Sequence, residues 1–210
     1  MIVDMPNQIG AIQREVGTQE SDGGELVAVV LRRTYPAAIE DVWDALTDPD
    51  RVKRWFMPLH GDLRVGGTFQ LEGNAGGDIL ECEPPRRIKV TFGGPSSLVE
   101  LRLTGDDDDE TVLELEHTVP IEMAGSTAGA LYVGPGWDGA FLALDLFFQG
   151  EIADDPVAAA NSPEGLEFSK QSIDAWVTTV ETSGTATADE IAAATAAARA
   201  QFTPDTGADD

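Results

Sequence analysis

The chain has 210 residues, 42% of them hydrophobic, with one cysteine and a formal net charge of −25 from 38 acidic against 13 basic residues. This is enough for one sizeable core with an appendage, too negative to favour a phosphate backbone or an anionic membrane, and free of any apolar run near the roughly 18 residues of a membrane span. Neither nucleic acid nor membrane is therefore expected as a partner; the lone Cys82 and the lack of a basic-then-apolar leader make the cytoplasm the default location.

Residues 1–24 mix polar and apolar types and end in Ser21–Gly24, which predicts a loosely ordered arm with one helical turn around Ile9–Val16. Residues 26–35 are rich in β-branched and aromatic types, as in a strand, and Pro36 ends it. Ile39, Val42, Trp43 and Leu46 form an apolar stripe at helical spacing. Asp48 before Pro49 predicts an N-cap with a first-turn proline for a short second helix over 50–55. Short strands punctuated by Gly and Pro follow at 61–64, at 68–72 with Phe69 and Leu71 on one face, at 78–83 and at 86–92. Two longer strands, 97–104 and 110–118, flank the acidic turn 106–109 and read as a hairpin. Val99, Leu101, Leu103, Leu113, Leu115 and His117 share its inner parity, while Glu100, Arg102, Glu114 and Glu116 point away.

Residues 121–133 lead into the segment the strands must seat. Over 134–148, Trp137, Phe141, Leu144 and Phe148 fall at i, i+4, i+7 and i+11, one face of a helix whose sharp start is set by Gly134, Pro135 and Gly136. A strand, two helices, several antiparallel strands and a long helix make an α+β architecture, with helices on one face of an antiparallel sheet. Beyond a linker at 152–161, Ser162 and Pro163 open a helix carrying Leu166, Ile173, Trp176, Val177 and Val180, stopped near Gly184. Thr187 and Glu190 form a capping box for an alanine-rich helix with Ile191, Ala194, Ala198 and Phe202 on one side. Two such helices cannot make a core alone, so they are expected to pack on the domain or on a second copy in a homodimer. The division is a flexible arm at 1–24, a domain at 25–150, and a helical extension at 151–210 ending in a disordered acidic tail.

Arg33–Ala37, Val42–Asp50, Trp55–Phe56, Gly66–Phe69, Asp78–Ile88, Leu115–His117 and Gly136–Trp137, in that order, resemble the bacterial proteins named after the activator of heat shock protein 90 ATPase, homologue-like, of the START-like, helix-grip (SRPBCC) superfamily. The resemblance covers about residues 26–150. It implies a curved antiparallel sheet of the Bet v type wrapped on a long C-terminal helix, two short helices capping one end, and a cavity between sheet and helix that is apolar and ligand-binding in many members. The superfamily includes lipid carriers, binders of hydrophobic ligands, and aromatic polyketide cyclases and dehydratases. The heat-shock activator itself docks through a further N-terminal domain that residues 1–25 are too short to supply, so the family's name is not taken as this chain's function.

No H-E-x-x-H, C-x-x-C, G-x-S-x-G or phosphate-cradling glycine motif occurs, so neither metal nor cofactor is expected. Asp106–Asp109 lacks EF-hand spacing and reads as a solvated hairpin tip. His117, on an apolar strand face, would orient a ligand or serve as a general acid–base, the plainer alternative being a histidine hydrogen-bonded near the strand end. His60, in the loop 58–61, sits either at the cavity mouth or simply in solvent. The side chains expected to contact a ligand are Trp55, Phe56, Phe69, Phe92, Leu101, His117, Trp137 and Phe141, with Trp43 in the core and Glu81 and Arg102 as further polar candidates. The expected function is binding of a small hydrophobic or aromatic molecule, without conventional catalysis. The alternatives are a cyclase- or hydrolase-type enzyme using His117, and a chaperone-associated or other protein-interaction module built on the extension helices.

Overall fold

The computed structural model of the protein describes residues 4–105 and 109–204, and among these a single antiparallel sheet of eight strands runs in the order β1-β2-β8-β7-β6-β5-β4-β3. The strands are β1 (Gln13–Ser21), β2 (Gly24–Tyr35), β3 (Leu59–Gly61), β4 (Thr68–Leu71), β5 (Gly76–Glu83), β6 (Arg87–Thr91), β7 (Leu98–Gly105) and β8 (Thr111–Pro120). Helices α2 (Ile39–Thr47) and α3 (Pro49–Val52) follow β2, with the Asp48 carboxylate accepting from the Asp50 amide as the sequence predicts. After β8, a short turn α4 (Ile121–Ala124) and a 3-10 segment (Thr127–Tyr132) lead into the long helix α5 (Gly134–Phe148), which lies on the inner face of the sheet.

Register carries the sheet. β7 and β8 pair from Leu98↔Thr118 to Gly105↔Thr111, which turns Val99, Leu103, Leu113, Leu115 and His117 inward and buries them. The outer face carries a ladder of ion pairs: Arg102 reaches Glu100, Glu114 and Glu116 at 2.6–2.8 Å, and Arg87 reaches Glu100 at 2.6 Å. Their Coulombic gain is small where solvent screens them, but they place opposite charges across strands that would otherwise oppose Glu100 to Glu116. The turn residues Asp106–Asp108 and the acidic tail beyond Pro204 lie outside the described residues.

Three expectations change. The arm at 1–24 is instead a helix α1 (Met5–Gly10) followed by β1, an edge strand paired with β2 from Gln13↔Arg32 to Ser21↔Gly24. It shows no apolar alternation because one of its inward side chains is Arg14, which is matched to a buried carboxylate rather than to the core. The strand at 61–64 lies earlier, at Leu59–Gly61: Gly61 has φ 145, and a Cβ there would sit 2.2 Å from the Thr68 carbonyl, so the chain turns where a strand would continue. His60 is thereby on β3 and exposed. In β5 the register slips between Ile79 and Glu81, a bulge that reverses the parity beyond it. Glu81 therefore faces out, 2.8 Å from Arg87, and Cys82 packs toward the core.

The extension folds back as α6 (Pro156–Ala160), inside the segment expected as linker, α7 (Pro163–Ser183) and α8 (Ala188–Phe202). Ser162 and the Thr187–Glu190 capping box begin α7 and α8, and Gly184 in the left-handed region at φ 66 ends α7. Phe168, Ile173, Trp176 and Val180 of α7 and Ile191, Ala194 and Ala198 of α8 are buried within the chain. The apolar faces on which the homodimer expectation rested are thus covered by α5, β1 and the 3-10 segment. No helix among the described residues is long and apolar enough to cross a membrane.

Candidate functional site

Helix α5 presents two buried sides. One carries Phe141 and Leu144 over the sheet. The Tyr35 hydroxyl of β2 donates to the Phe141 carbonyl at 3.1 Å and holds this side down, and burial pushes its ionisation far up. The second side carries Asp138, Leu142 and Asp145, all buried. Asp138 accepts from Arg14 Nε of β1 at 2.9 Å, from Trp176 Nε1 of α7 at 3.1 Å and from the Ser172 hydroxyl. Asp145 accepts from Arg33 of β2 at 2.7 Å and from Gln8 of α1 at 3.1 Å. The N-terminal hairpin is therefore fastened to the back of α5 by buried ion pairs, and the extension by the hydrogen bonds of Ser172 and Trp176 to Asp138.

Beneath the first side lies a cavity of about 150 Å³. Its floor is Phe69, Phe92, Leu101 and neighbouring aliphatic side chains of β4–β8, and its roof is Trp137, Ala140, Phe141 and Leu144. Trp55 and Phe56, stacked at 5.3 Å after α3, close one end, where Trp55 Nε1 is satisfied by the Ala45 carbonyl at 2.9 Å. Thr47 is the one polar residue in the wall, and its hydroxyl donates to the Trp43 carbonyl at 2.7 Å. Seven of the eight expected residues (Trp55, Phe56, Phe69, Phe92, Leu101, Trp137 and Phe141) line this cavity. His117, the eighth, does not. Trp43 is buried in the core, and Arg102 and Glu81 are held on the outer face by their ion pairs.

His117 lines a second chamber of about 430 Å³, with Val27, Val29, Val119, the turn Gly93–Ser97, Met123 and Tyr132. The Phe92 ring lies 5.2 Å from that of Trp137, borders both spaces and forms the partition between them. This chamber was not legible in the sequence: its walls come from five separate segments, and only His117 hinted at it.

The bonds of His117 fix its tautomer. Trp137 Nε1–H lies 3.1 Å from Nδ1, and an indole nitrogen only donates. Nδ1 is therefore the acceptor, the ring proton sits on Nε2, and Nε2 donates to Ser97 Oγ at 2.8 Å. Burial lowers the His117 pKa to about 4, so the ring is neutral at pH 7. A base for Ser97 needs a free Nε2 lone pair, as in serine hydrolases; here that nitrogen carries the proton, so the pair does not generate a nucleophile. Among the described residues no group of three or more His, Cys, Asp and Glu is placed to hold a metal ion.

A curved antiparallel sheet closed by a long C-terminal helix over an apolar cavity is the helix-grip fold of START-like proteins. The chain belongs to the family of activator of Hsp90 ATPase homolog 1-like proteins, whose model matches residues 36–148. It is similar to CalU16 from Micromonospora echinospora, with 40% identity over 81% of this chain and 99% of that one in a crystal structure (TM-score 0.66) and over 82% and 96% in a solution structure (TM-score 0.68). That similarity reaches beyond the family match into the flanking segments. DynU16, a protein in the dynemicin biosynthetic locus, shares 25% identity over 60% of this chain and 50% of that one (TM-score 0.50). PFC0360w, an HSP90 activator from Plasmodium falciparum, shares the fold at 22% identity over 60% of this chain and 97% of that one (TM-score 0.50). No curated protein matches the chain.

Proposed function

We propose that the protein binds a small hydrophobic or aromatic molecule in the cavity beneath α5, without catalysis there. One observation carries this reading: the cavity wall offers no unspent polar group, because its single polar residue, Thr47, is bonded to Trp43. Such a space holds an apolar guest by dispersion and exclusion of water, and supplies no acid, base or nucleophile. At about 150 Å³ it suits a single ring; dry apolar cavities of that size take up benzene. The similarity to DynU16, whose locus is biosynthetic, supports a small-molecule role.

The test is a heat-shift and saturation-transfer NMR series with toluene and indole on the full chain. Wild type is expected to gain roughly 2.7 kcal/mol at 100-fold excess over Kd. Leu101→Trp, which fills the cavity from its floor, is expected to abolish the shift while keeping native circular dichroism. A shift that persists in the filled variant, or none for either probe in wild type, overturns the proposal.

A further inference from the structure

The chamber behind the Phe92–Trp137 partition is the roomier of the two, and besides the exposed Ser96 and Tyr132 at its edge it carries a buried hydrogen-bond donor that the first cavity lacks. The relay runs in one direction. Trp137 donates to His117 Nδ1 at 3.1 Å, and His117 Nε2 donates to Ser97 Oγ at 2.8 Å. Each link is forced by the indole at its origin, which has a proton and no lone pair to offer. Ser97 is thereby the acceptor in its bond with His117, and its own hydroxyl proton is left over. The residue is only 8% exposed, and among the described residues its hydroxyl has no partner besides His117. A buried hydroxyl proton without an acceptor is unfavourable, and the chamber in front of Ser97 has room for a group that would accept it.

The rest of the wall narrows the class. Val27, Val29, Val119 and Phe92 make it apolar, and at about 430 Å³ it lies in the ordinary range of small-molecule sites. No lysine or arginine lines it, and the surrounding chain carries −25, so an anion finds no counter-charge. Met123 and Tyr132, exposed by 64% and 40%, stand at its rim and supply an apolar entrance.

We infer that this chamber is a second binding site, for a neutral apolar carbonyl compound whose oxygen accepts a hydrogen bond from Ser97. The site does not require the first cavity to be occupied, so the two readings stand or fall separately. The guest's rings lie against Phe92 and the valines. His117 acts as a positioning residue that turns the Ser97 proton inward, and Trp137 holds His117 in the tautomer that does so.

The experiment compares 2-acetonaphthone with its hydrocarbon isostere 2-isopropenylnaphthalene on the full chain by calorimetric titration, and follows the infrared carbonyl stretch of the labelled ketone. Wild type is expected to bind the ketone about three- to tenfold more tightly than the isostere, the gain of one neutral hydrogen bond, with the bound carbonyl stretch moved to lower frequency. Ser97→Ala is expected to remove both the preference and the frequency shift, and Ser97→Thr to keep them. In Leu101→Trp, which fills the other cavity, the ketone is expected to bind as in wild type. Equal binding of the two probes by wild type, a preference that survives Ser97→Ala, or loss of the ketone in Leu101→Trp would each overturn the assignment. Loss of toluene binding in Leu101→Trp with the ketone preference intact separates this site from the first.

Discussion

Asp138 is the most heavily committed side chain on α5, and its removal is the sharpest test of how the extension is held. It is 0% exposed and accepts from Arg14, Ser172 and Trp176, which come from β1 and α7. Asp138→Ala strands the Arg14 guanidinium, itself 7% exposed, with no other carboxylate bonded to it among the described residues. Breaking a buried pair from one side costs about 3–5 kcal/mol, and at ~2–4 °C per kcal/mol for a chain of this size the melting temperature is expected to fall by roughly 6–20 °C. The pH dependence gives a second, signed reading. Burial outweighs the pull of Arg14 and raises the Asp138 pKa from 3.8 to about 6. The native state then binds more protons than the unfolded chain between those values. This contribution is complete below about pH 4 and is lost as pH rises through 6, a change of about 3 kcal/mol. Asp138→Asn cannot titrate, so the stability of wild type relative to it is expected to decline from pH 4 to pH 7 in urea melts. An Ala variant within about 1 kcal/mol of wild type, or a wild-type-minus-Asn difference that is flat or rising with pH, would refute the reasoning.

Two further outcomes follow from the same contacts. A Cβ on Gly134 would lie 2.4 Å from the Trp176 ring, which is pinned through its nitrogen to Asp138, so Gly134→Ala is expected to destabilise by about 1–3 kcal/mol in thermal melts despite alanine's better helix propensity; a variant as stable as wild type would contradict the packing. His117 has the opposite sign to Asp138: its folded pKa of about 4 lies below 6.5, so its contribution is full above pH 6.5 and is lost as pH falls toward 4. The stability of wild type relative to His117→Asn should therefore drop by about 3 kcal/mol from pH 7 to pH 4, and a constant difference would argue against a buried neutral ring.

Much of the fold was legible because its signals are local. The start and length of α5, the α2 stripe, the Asp48 cap, the β7–β8 hairpin with His117 on its inner face, and the caps of α7 and α8 all depend on residues within a turn or a pleat of one another. Part of the lining of the first cavity was readable for the same reason, since strand parity names Phe69 and Leu101 and the α5 face names Trp137 and Phe141, whereas Trp55 and Phe56 were placed at its rim only by the family resemblance. The bulge in β5 was not readable, and it moved Glu81 to the outer face.

By itself, then, the sequence determined most of the helices and strands between residues 26 and 202, their apolar faces, and the family, but not the edge strand β1 or the short helix α6. Tertiary structure alone decided what lies across the second side of α5 and how the space beneath the first is divided. Arg14 and Asp138 are 124 residues apart, and neither is marked as buried by any local pattern. A charged residue on a helix or an edge strand reads as solvent-facing until its partner is known, because only the pair makes burial tolerable. The partition of the cavity has the same origin. Phe92, His117, Trp137 and Ser97 belong to three strands or their flanking turns and to one helix, and the direction of their hydrogen bonds is set only when the indole of α5 is brought against the imidazole of β8.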